Sequence, residues 1–479
     1  MPYSSLIFIF YFLPITVGVY YLFCFSQRFQ NVWLLIASLI FYAWSRPVHI
    51  IFLLISLAVN YGMGIVISKR QETEASAKPA LVAACGFNLV LFFVFNYLSP
   101  IAAGFGSLVR MDTTAISSIL APLGIALITL HSISYLVDIY RQDVTMDKNP
   151  VNFALYIAFF PLLIGGPILQ YMDVVNQIAR RKTAWEDFSQ GVCRFVIGLG
   201  KKVLVADTIA VIADHIFNLS AMSGSLTSVP VTLAWLGLFA FTLQIYYGLS
   251  GYTDMALGLG RIFGFHYREN FNYPYAAVSV TDFWSRWYTS LLSWFNNYIL
   301  DPLTVRNSSH DRLVRNTFLM WLLIGVLFGG KSTFLIWGIW NFIFLTFERA
   351  IEFENINISR ILRRFYVLVF ILLGWVLFRT DDLYQLSVFM GNLFGTNGNG
   401  FVSDTALMFI REYWVVFLAG IVFAAPAAPG LRVLLISKKN ILPKVCSVIY
   451  PLLMAALLLL VIIFLTRSGY EPFLNMIGR

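Results

Sequence analysis

Pro79-Ala-Leu-Val-Ala-Ala-Cys-Gly-Phe-Asn-Leu-Val-Leu-Phe-Phe-Val-Phe-Asn-Tyr-Leu-Ser-Pro-Ile-Ala-Ala-Gly-Phe-Gly-Ser-Leu-Val109 contains no charged side chain. A helix crosses the hydrocarbon of a bilayer with about 20 apolar residues, and this stretch exceeds that. In lipid every backbone polar group must find a partner within the protein, so the natural solution is a helix. Further uncharged windows lie at Met1–Ser26, Phe29–Ser45, Pro47–Ser68 and Thr113–Val137. Later ones are His215–Thr253, Asn316–Gly330, Ser332–Phe347, Phe365–Phe378, Tyr413–Leu431 and Val445–Thr466. The shorter windows reach spanning length only by borrowing flanking apolar residues. The pattern predicts an all-α, polytopic integral membrane protein with roughly 11 to 13 transmembrane helices plus half-buried ones. Residues 1–479 read as a single membrane domain.

Composition agrees. The chain is 59% hydrophobic and 12% charged, with mean hydropathy +0.76, where a soluble domain carries about 25% charged residues. The net charge of +9 does not point to nucleic acid, because the cations sit at the ends of apolar runs, as the positive-inside rule expects. Over the first 182 residues, with the N-terminus outside, Arg28, Lys69, Arg70, Lys78, Arg141, Lys148, Arg180, Arg181 and Lys182 all fall inside, and only Arg46 and Arg110 outside. The first window has no charged leader before Arg28 and reads as an uncleaved first span. Cys24, Cys85, Cys193 and Cys446 are scattered, with no metal-ligand or disulfide spacing, and are expected to be apolar filler.

That orientation requires one irregular segment. Asn149–Met172 is flanked by cations on both sides and carries Pro161-Leu-Leu-Ile-Gly-Gly-Pro167 at its middle. Prolines and glycines break a helix, so the segment is expected to be a re-entrant hairpin entering and leaving on the cytoplasmic side, beside an internal cavity. Between Asp254 and Asp311, charges alternate with aromatics. That pattern suits re-entrant or amphipathic helices lining a polar cavity or lying at the cytoplasmic face. Trp284, Trp287 and Trp294 have the spacing of one helical face. Further polar breaks fall at Glu348–Arg364 and Thr380–Asp404, the latter with Asn397-Gly-Asn-Gly400 as a flexible tip.

Several ordered motifs resemble the membrane-bound O-acyltransferase family, in its bacterial alginate O-acetylase-like branch. They are Leu35-Ile-Ala-Ser-Leu-Ile-Phe-Tyr-Ala-Trp44, Pro122-Leu-Gly-Ile125 with Ser134-Tyr135, Asp138 and Tyr140-Arg141, and Phe160-Pro161 with Gly166-Pro167. Then follow Gly200-Lys-Lys-Val-Leu-Val-Ala-Asp207, Gly251-Tyr-Thr-Asp-Met-Ala256, Asn270-Phe-Asn-Tyr-Pro-Tyr275, Phe283-Trp-Ser-Arg-Trp287 and Trp375-Val-Leu-Phe-Arg379. The resemblance covers nearly the whole chain. It implies a ring of tilted helices around a thin centre where funnels from the two faces meet. It also implies a multi-pass protein of the cell inner (cytoplasmic) membrane. An acyl group would come from a cytosolic donor, acetyl-CoA or another acyl thioester, with no bound cofactor. The acceptor would be a hydroxyl of a secreted polysaccharide or cell-envelope polymer. A periplasmic or extracellular acetyl-transfer partner and a polysaccharide synthase would be its associates. A histidine in the channel would act as general base, a role worth roughly 10²–10⁴-fold in rate.

The chain departs from the family where that base should be. The core motif G-L-W-H-G-A-x-W-T-F-x-x-W-G stands here as Gly325-Val-Leu-Phe-Gly-Gly-Lys-Ser-Thr-Phe-Leu-Ile-Trp-Gly338, which puts Phe328 at the histidine, or Gly329 if the register slips by one. Tyr288 replaces a second histidine, Gly248 an aspartate, and Asn296-Asn297 an Arg-Asp pair. None of Phe, Gly or a neutral Tyr accepts a proton well near pH 7. The catalytic residue is therefore not identified by the motif. Of the five histidines, His49, His131, His215, His266 and His310, only His131 lies deep in a span. It is a weak replacement candidate beside the reading of a satisfied packing histidine. Lys331 either reaches a carrier phosphate or thioester carbonyl, or snorkels to the interface. Asp254, Asn270, Asp282 and Arg286, with Gly248 and Tyr252, are expected to line the channel and inner funnel, or else to be buried pairs holding re-entrant helices. Tyr246, Tyr247 and Tyr252 are expected to be wall residues. Phe328 and Tyr288 are expected to face each other across the channel and narrow it. Three function classes follow: an active O-acyltransferase, a catalytically inactive scaffold of an envelope or exopolysaccharide assembly, or a conduit for an acyl group or lipid-linked substrate.

Overall fold

The computed structural model describes residues 1–109, 121–221, 229–304, 310–398, 400–426 and 442–467. Arg110, the beginning of the window from Thr113, Asn399 of the loop tip and the side chain of Cys446 lie outside the described residues. Every regular element described is a helix. A π-helical turn, Phe8–Phe12, leads into α1 (Leu13–Leu22); α2 (Gln27–Ser45), α3 (His49–Glu72), α4 (Lys78–Val109) and α5 (Ile125–Arg141) follow. Next come α6 (Pro150–Ala158), α7 (Tyr171–Ala179), α8 (Trp185–Gly200), a π-helical segment Lys201–Asp207, α9 (Thr208–Ala221) and the long α10 (Val231–Ile262). Two short helices, α11 (Val280–Arg286) and α12 (Thr289–Phe295), precede α13 (His310–Phe328), α14 (Ser332–Ala350), α15 (Arg360–Arg379), α16 (Leu383–Phe394), α17 (Asp404–Ala424) and α18 (Leu442–Arg467).

Six of these are each long and apolar enough to cross a membrane: His49–Glu72, Lys78–Ser99, Val231–Ile262, Arg360–Arg379, Asp404–Ala424 and Ile449–Arg467. The protein is a multi-pass membrane protein. Over the described residues the sequence windows map onto helices, with one notable exception. The window His215–Thr253 divides between the end of α9 and the start of α10.

A region that lies largely outside the uncharged windows, from Trp185 to Asp214, is central. Helix α8, the π segment and α9 run on without a break and pack along α10. The contact is close because glycines face glycines. A Cβ added at Gly258 would lie 2.6 Å from the Gly191 carbonyl oxygen, and one at Gly198 would lie 2.7 Å from that of Gly251. Charges hid this helix from a search for uncharged runs, but the fold pairs them. Arg194 meets Asp254 at 2.8 Å and also Glu269, and Lys201 meets Asp254 at 2.6 Å. Lys202, almost fully buried, meets Asp207 at 2.8 Å, and Arg379 meets Asp214 at 2.8 Å. Charges at membrane depth persist when they face the bundle interior and pair.

The segment Asn149–Met172 forms a hairpin. Its two arms, α6 and α7, return to one level. Asn31 donates both to the Asn152 side chain, at 2.9 Å, and to the Ile178 carbonyl, at 3.0 Å. Between them residues 159–170 are irregular, and 159–169 are buried. Irregular backbone at depth needs partners from the protein itself, and they are present. Ser38 accepts from the Phe160 N–H, and Tyr3 donates to the Phe160 carbonyl at 2.6 Å. Thr253 donates to the Gly165 carbonyl, Tyr288 to that of Gly166 and Tyr156 to that of Leu169. Ser290 accepts from the Ile168 N–H, His131 from Leu169 and Asp138 from Met172. At Gly165 φ is +154°, and a Cβ there would press on the Tyr252 side chain at 3.2 Å, so the tip needs glycine.

Candidate functional site

The level of Asn31, Ile178 and the residues that follow the hairpin defines one face of the molecule, which carries Lys148 and Arg180–Lys182 and is called here the basic face. Tyr20 and Tyr21 donate to the carbonyls of Phe263 and Ile262 there, and Gln177 bonds the His266 backbone. Two cavities open around α12 and share Thr289 and Ser293. The smaller, about 470 Å³, lies between α7 and the residues that follow α10, with Gln170, Gln177 and His266 on its wall. The larger, about 890 Å³, is enclosed by α11, α12, α13 and the end of α14.

The larger cavity is built from short helices held by side chains. Ser279 caps α11 by accepting from the Asp282 N–H at 2.9 Å. Glu348, buried on α14, accepts from the N–H groups of Val280 and Thr281 and from the Thr281 hydroxyl, at 2.6, 2.9 and 2.9 Å. A helix N-terminus leaves such donors unpaired and favours a negative partner. Farther along α14, Asn341 accepts from the Trp284 indole N–H at 2.9 Å and donates to the Trp337 carbonyl. One helix thus holds both the N-terminus of α11 and the Trp284 floor of the cavity. Trp284 and Trp321 line it, in edge contact at 4.8 Å.

Behind that floor stand further rings. Trp337 lies 5.7 Å from Trp284, and Phe328 lies 5.5 Å beyond Trp337. Phe328 also touches Phe334 and Phe378, and its side is 37% exposed. The Tyr97 hydroxyl donates to the carbonyl of Gly329 at 2.9 Å and also to that of Val326, which ties α4 to this turn. Lys331 forms an ion pair with Asp381 and lies over the Phe334 ring. Trp337 is therefore the ring in contact both with Trp284, on the cavity lining, and with Phe328.

Phe328 and Tyr288 do not form the expected facing pair; their rings make no contact. Tyr288 packs on Phe271 at 5.9 Å and donates to the Gly166 carbonyl at 3.1 Å. Trp287, Trp375 and Phe378 stand in the aromatic layer between, in contacts of 5.0 and 5.8 Å. The single helical face expected of Trp284, Trp287 and Trp294 is also absent. Tyr288 adopts φ +44° and breaks the helix in two. Trp294 instead donates to Ser134 at 2.7 Å, on α5. Tyr288 lies between the two short helices, outside the six spans. Burial raises its phenol pKa above the ordinary range, so the hydroxyl stays neutral, and here it donates to the Gly166 carbonyl.

The remaining residues singled out from sequence occupy supporting positions. His131 is fully buried; its Nε2 accepts from the Leu169 N–H at 3.1 Å, and its ring packs on Tyr156. That bond leaves the proton on Nδ1, which has no partner among the described residues. Asp254 joins Arg194 and Lys201. Asn270 accepts from the Ser290 N–H at 3.0 Å, and Asp282 and Arg286 pair one turn apart at 2.6 Å. Gly248 and Tyr252 are buried on α10. Asp282 borders a hollow beside the larger cavity; none of these residues is among the described lining of the two cavities. Sequence reasoning missed Glu348, Asn341 and Trp321. Their one signal was polarity or an indole inside an otherwise apolar helix.

Residues 55–354 match the model of the MBOAT, membrane-bound O-acyltransferase family. The chain is 39% identical over 395 residues to the "Probable alginate O-acetylase AlgI" of Pseudomonas aeruginosa, covering 80% of this chain and 73% of the relative. It is 30% identical over 432 residues to the "Peptidoglycan O-acetyltransferase" of Helicobacter pylori, covering 83% and 80%. It is 27% identical over 244 residues to the "Teichoic acid D-alanyltransferase" of Bacillus subtilis, covering 49% and 60%.

Proposed function

The chain belongs to the membrane-bound O-acyltransferase family, and from that premise we propose that it serves the acylation, most simply acetylation, of a secreted polysaccharide or cell-envelope polymer from the inner membrane. The relatives are named for acylating such polymers. The observation that carries the reading is geometric. A cavity of about 890 Å³ on the basic face ends on Trp284 and Trp321, and Trp337 links Trp284 to Phe328 by ring contacts. The basic face is read as cytoplasmic. The cavity then receives an acyl thioester, and the acceptor hydroxyl approaches from the Phe328 side. A periplasmic or extracellular acetyl-transfer partner and a polysaccharide synthase fit an acceptor on that side.

A second reading has its own support. Phe328 has no atom that accepts a proton, and the Tyr288 hydroxyl donates to the Gly166 carbonyl. On the motif reading that sets Phe328 and Tyr288 at the family's histidines, neither position offers a base, which supports a non-catalytic scaffold or acyl conduit as the alternative. Acyl transfer measured on the unmodified protein in membranes, with its polymer-assembly partners present, separates the two. We expect transfer well below that of a histidine-bearing relative, and an increase in Phe328→His with Tyr288→His. Robust transfer lost in His131→Ala would reassign the base to His131. Robust transfer without any of the five histidines would mean that another base serves. Absence of transfer, with polymer assembly failing on gene deletion, would select the scaffold or conduit.

A further inference from the structure

The charges at the entrance of the larger cavity are unbalanced. Among the described residues of its lining, Asp301, Glu352 and Glu354 stand exposed against one exposed cation, Arg349. Glu348 lies deeper and is engaged by the N-terminus of α11. The nearby Arg363 is turned to the carbonyls of Glu354 and Ile356, and Arg286 is held by Asp282. Helix α14 ends at this entrance, so its C-terminal carbonyls add the negative pole of a 19-residue helix. Below the entrance the lining is uncharged apart from Glu348: Thr289, Ser293, Asn296 and the two indoles. The Trp321 indole contributes a ring to that lining, while its N–H is buried away from the accessible surface.

We propose that this entrance is a charge filter on the acyl donor. Asp301, Glu352 and Glu354 are its specificity-determining residues. The cavity takes a thioester carried on an uncharged, amide-bearing arm and disfavours a donor that brings several phosphate charges to the entrance. This rests on the reading of the cavity as the donor site. When an acyl group reaches the Trp284–Trp321 floor, the rest of its carrier remains at or above the acidic entrance. Like charges there repel, and because the acids are exposed the effect is screened by salt.

The test uses the full chain in lipid nanodiscs and two non-hydrolysable thioether probes, those of S-acetyl-pantetheine and of acetyl-CoA, with binding followed by titration calorimetry. The pantetheine probe is expected to bind about tenfold more tightly at low ionic strength. That ratio should fall toward one in high salt, and also in the double variant Glu352→Gln/Glu354→Gln. Both residues are exposed, so the double variant is expected to fold. Equal or tighter binding of the CoA probe would overturn the filter while leaving the donor site in place. A ratio unmoved by salt and by the double variant would overturn it too. Binding of neither probe would remove the donor-site reading and the filter with it.

Discussion

Helix α4 and the α8–α10 pair solve the same problem in opposite ways. Over its spanning part α4 is only 17% buried, and Val82, Val90 and Ile101 are each 60% exposed or more. Its uncharged surface is complete in itself, since lipid asks nothing further of it. Helix α10 is 83% buried over its window, and its neighbour α8 carries Arg194 while the π segment carries Lys201 and Lys202. Those residues are tolerable only because Asp254, Glu269 and Asp207 meet them. An isolated helix reading finds the first kind and passes over the second, because the second is defined by its partners.

The largest expected effect breaks the close glycine contact. In Gly258→Val the new carbons meet the Gly191 carbonyl, whereas at Gly86 on α4 nothing lies within 4 Å. Thermal unfolding in detergent should show a loss of roughly 3 kcal/mol for Gly258→Val, the upper part of the overpacking range, and little change for Gly86→Val. Equal effects at the two sites would end the contrast. Next comes Asp254→Asn, which leaves Arg194 and Lys201 without the carboxylate they share. Breaking a buried pair costs about 3–5 kcal/mol. These cations are partly exposed, so about 2 kcal/mol is expected after screening, read as a lower unfolding midpoint. Trp284→Phe strands the Asn341 acceptor at the cavity floor and should cost about 1–2 kcal/mol, with weaker binding of the pantetheine probe. The smallest perturbation is labelling. Single cysteines near Lys148 and Arg180, in an otherwise cysteine-free chain that also lacks Cys446, should react from the same side of the membrane. Opposite reactivity would undo the hairpin.

The hairpin was legible in the sequence because two prolines and two glycines within one apolar segment leave few alternatives. What satisfies it was not legible. Ser38, Thr253, Tyr288 and His131 come from four distant parts of the chain and carry no local mark of the role. The same limit explains Phe328 and Tyr288. Motif order places both at the family's reaction core, but a left-handed residue at Tyr288 turns the chain and puts other aromatics between them.

Sequence alone determined the class of the molecule, since a chain 12% charged with repeated uncharged windows has no soluble solution. It also carried the ordered motifs that resemble the family's, in which Phe328 or Gly329 stands where a histidine is expected. Only the tertiary structure decided which charges are buried pairs, which helix carries the floor of the cavity and which ring links that floor to Phe328. Those properties depend on side chains far apart in sequence meeting within a few ångströms, and periodicity along one segment holds no information about the segment it will meet.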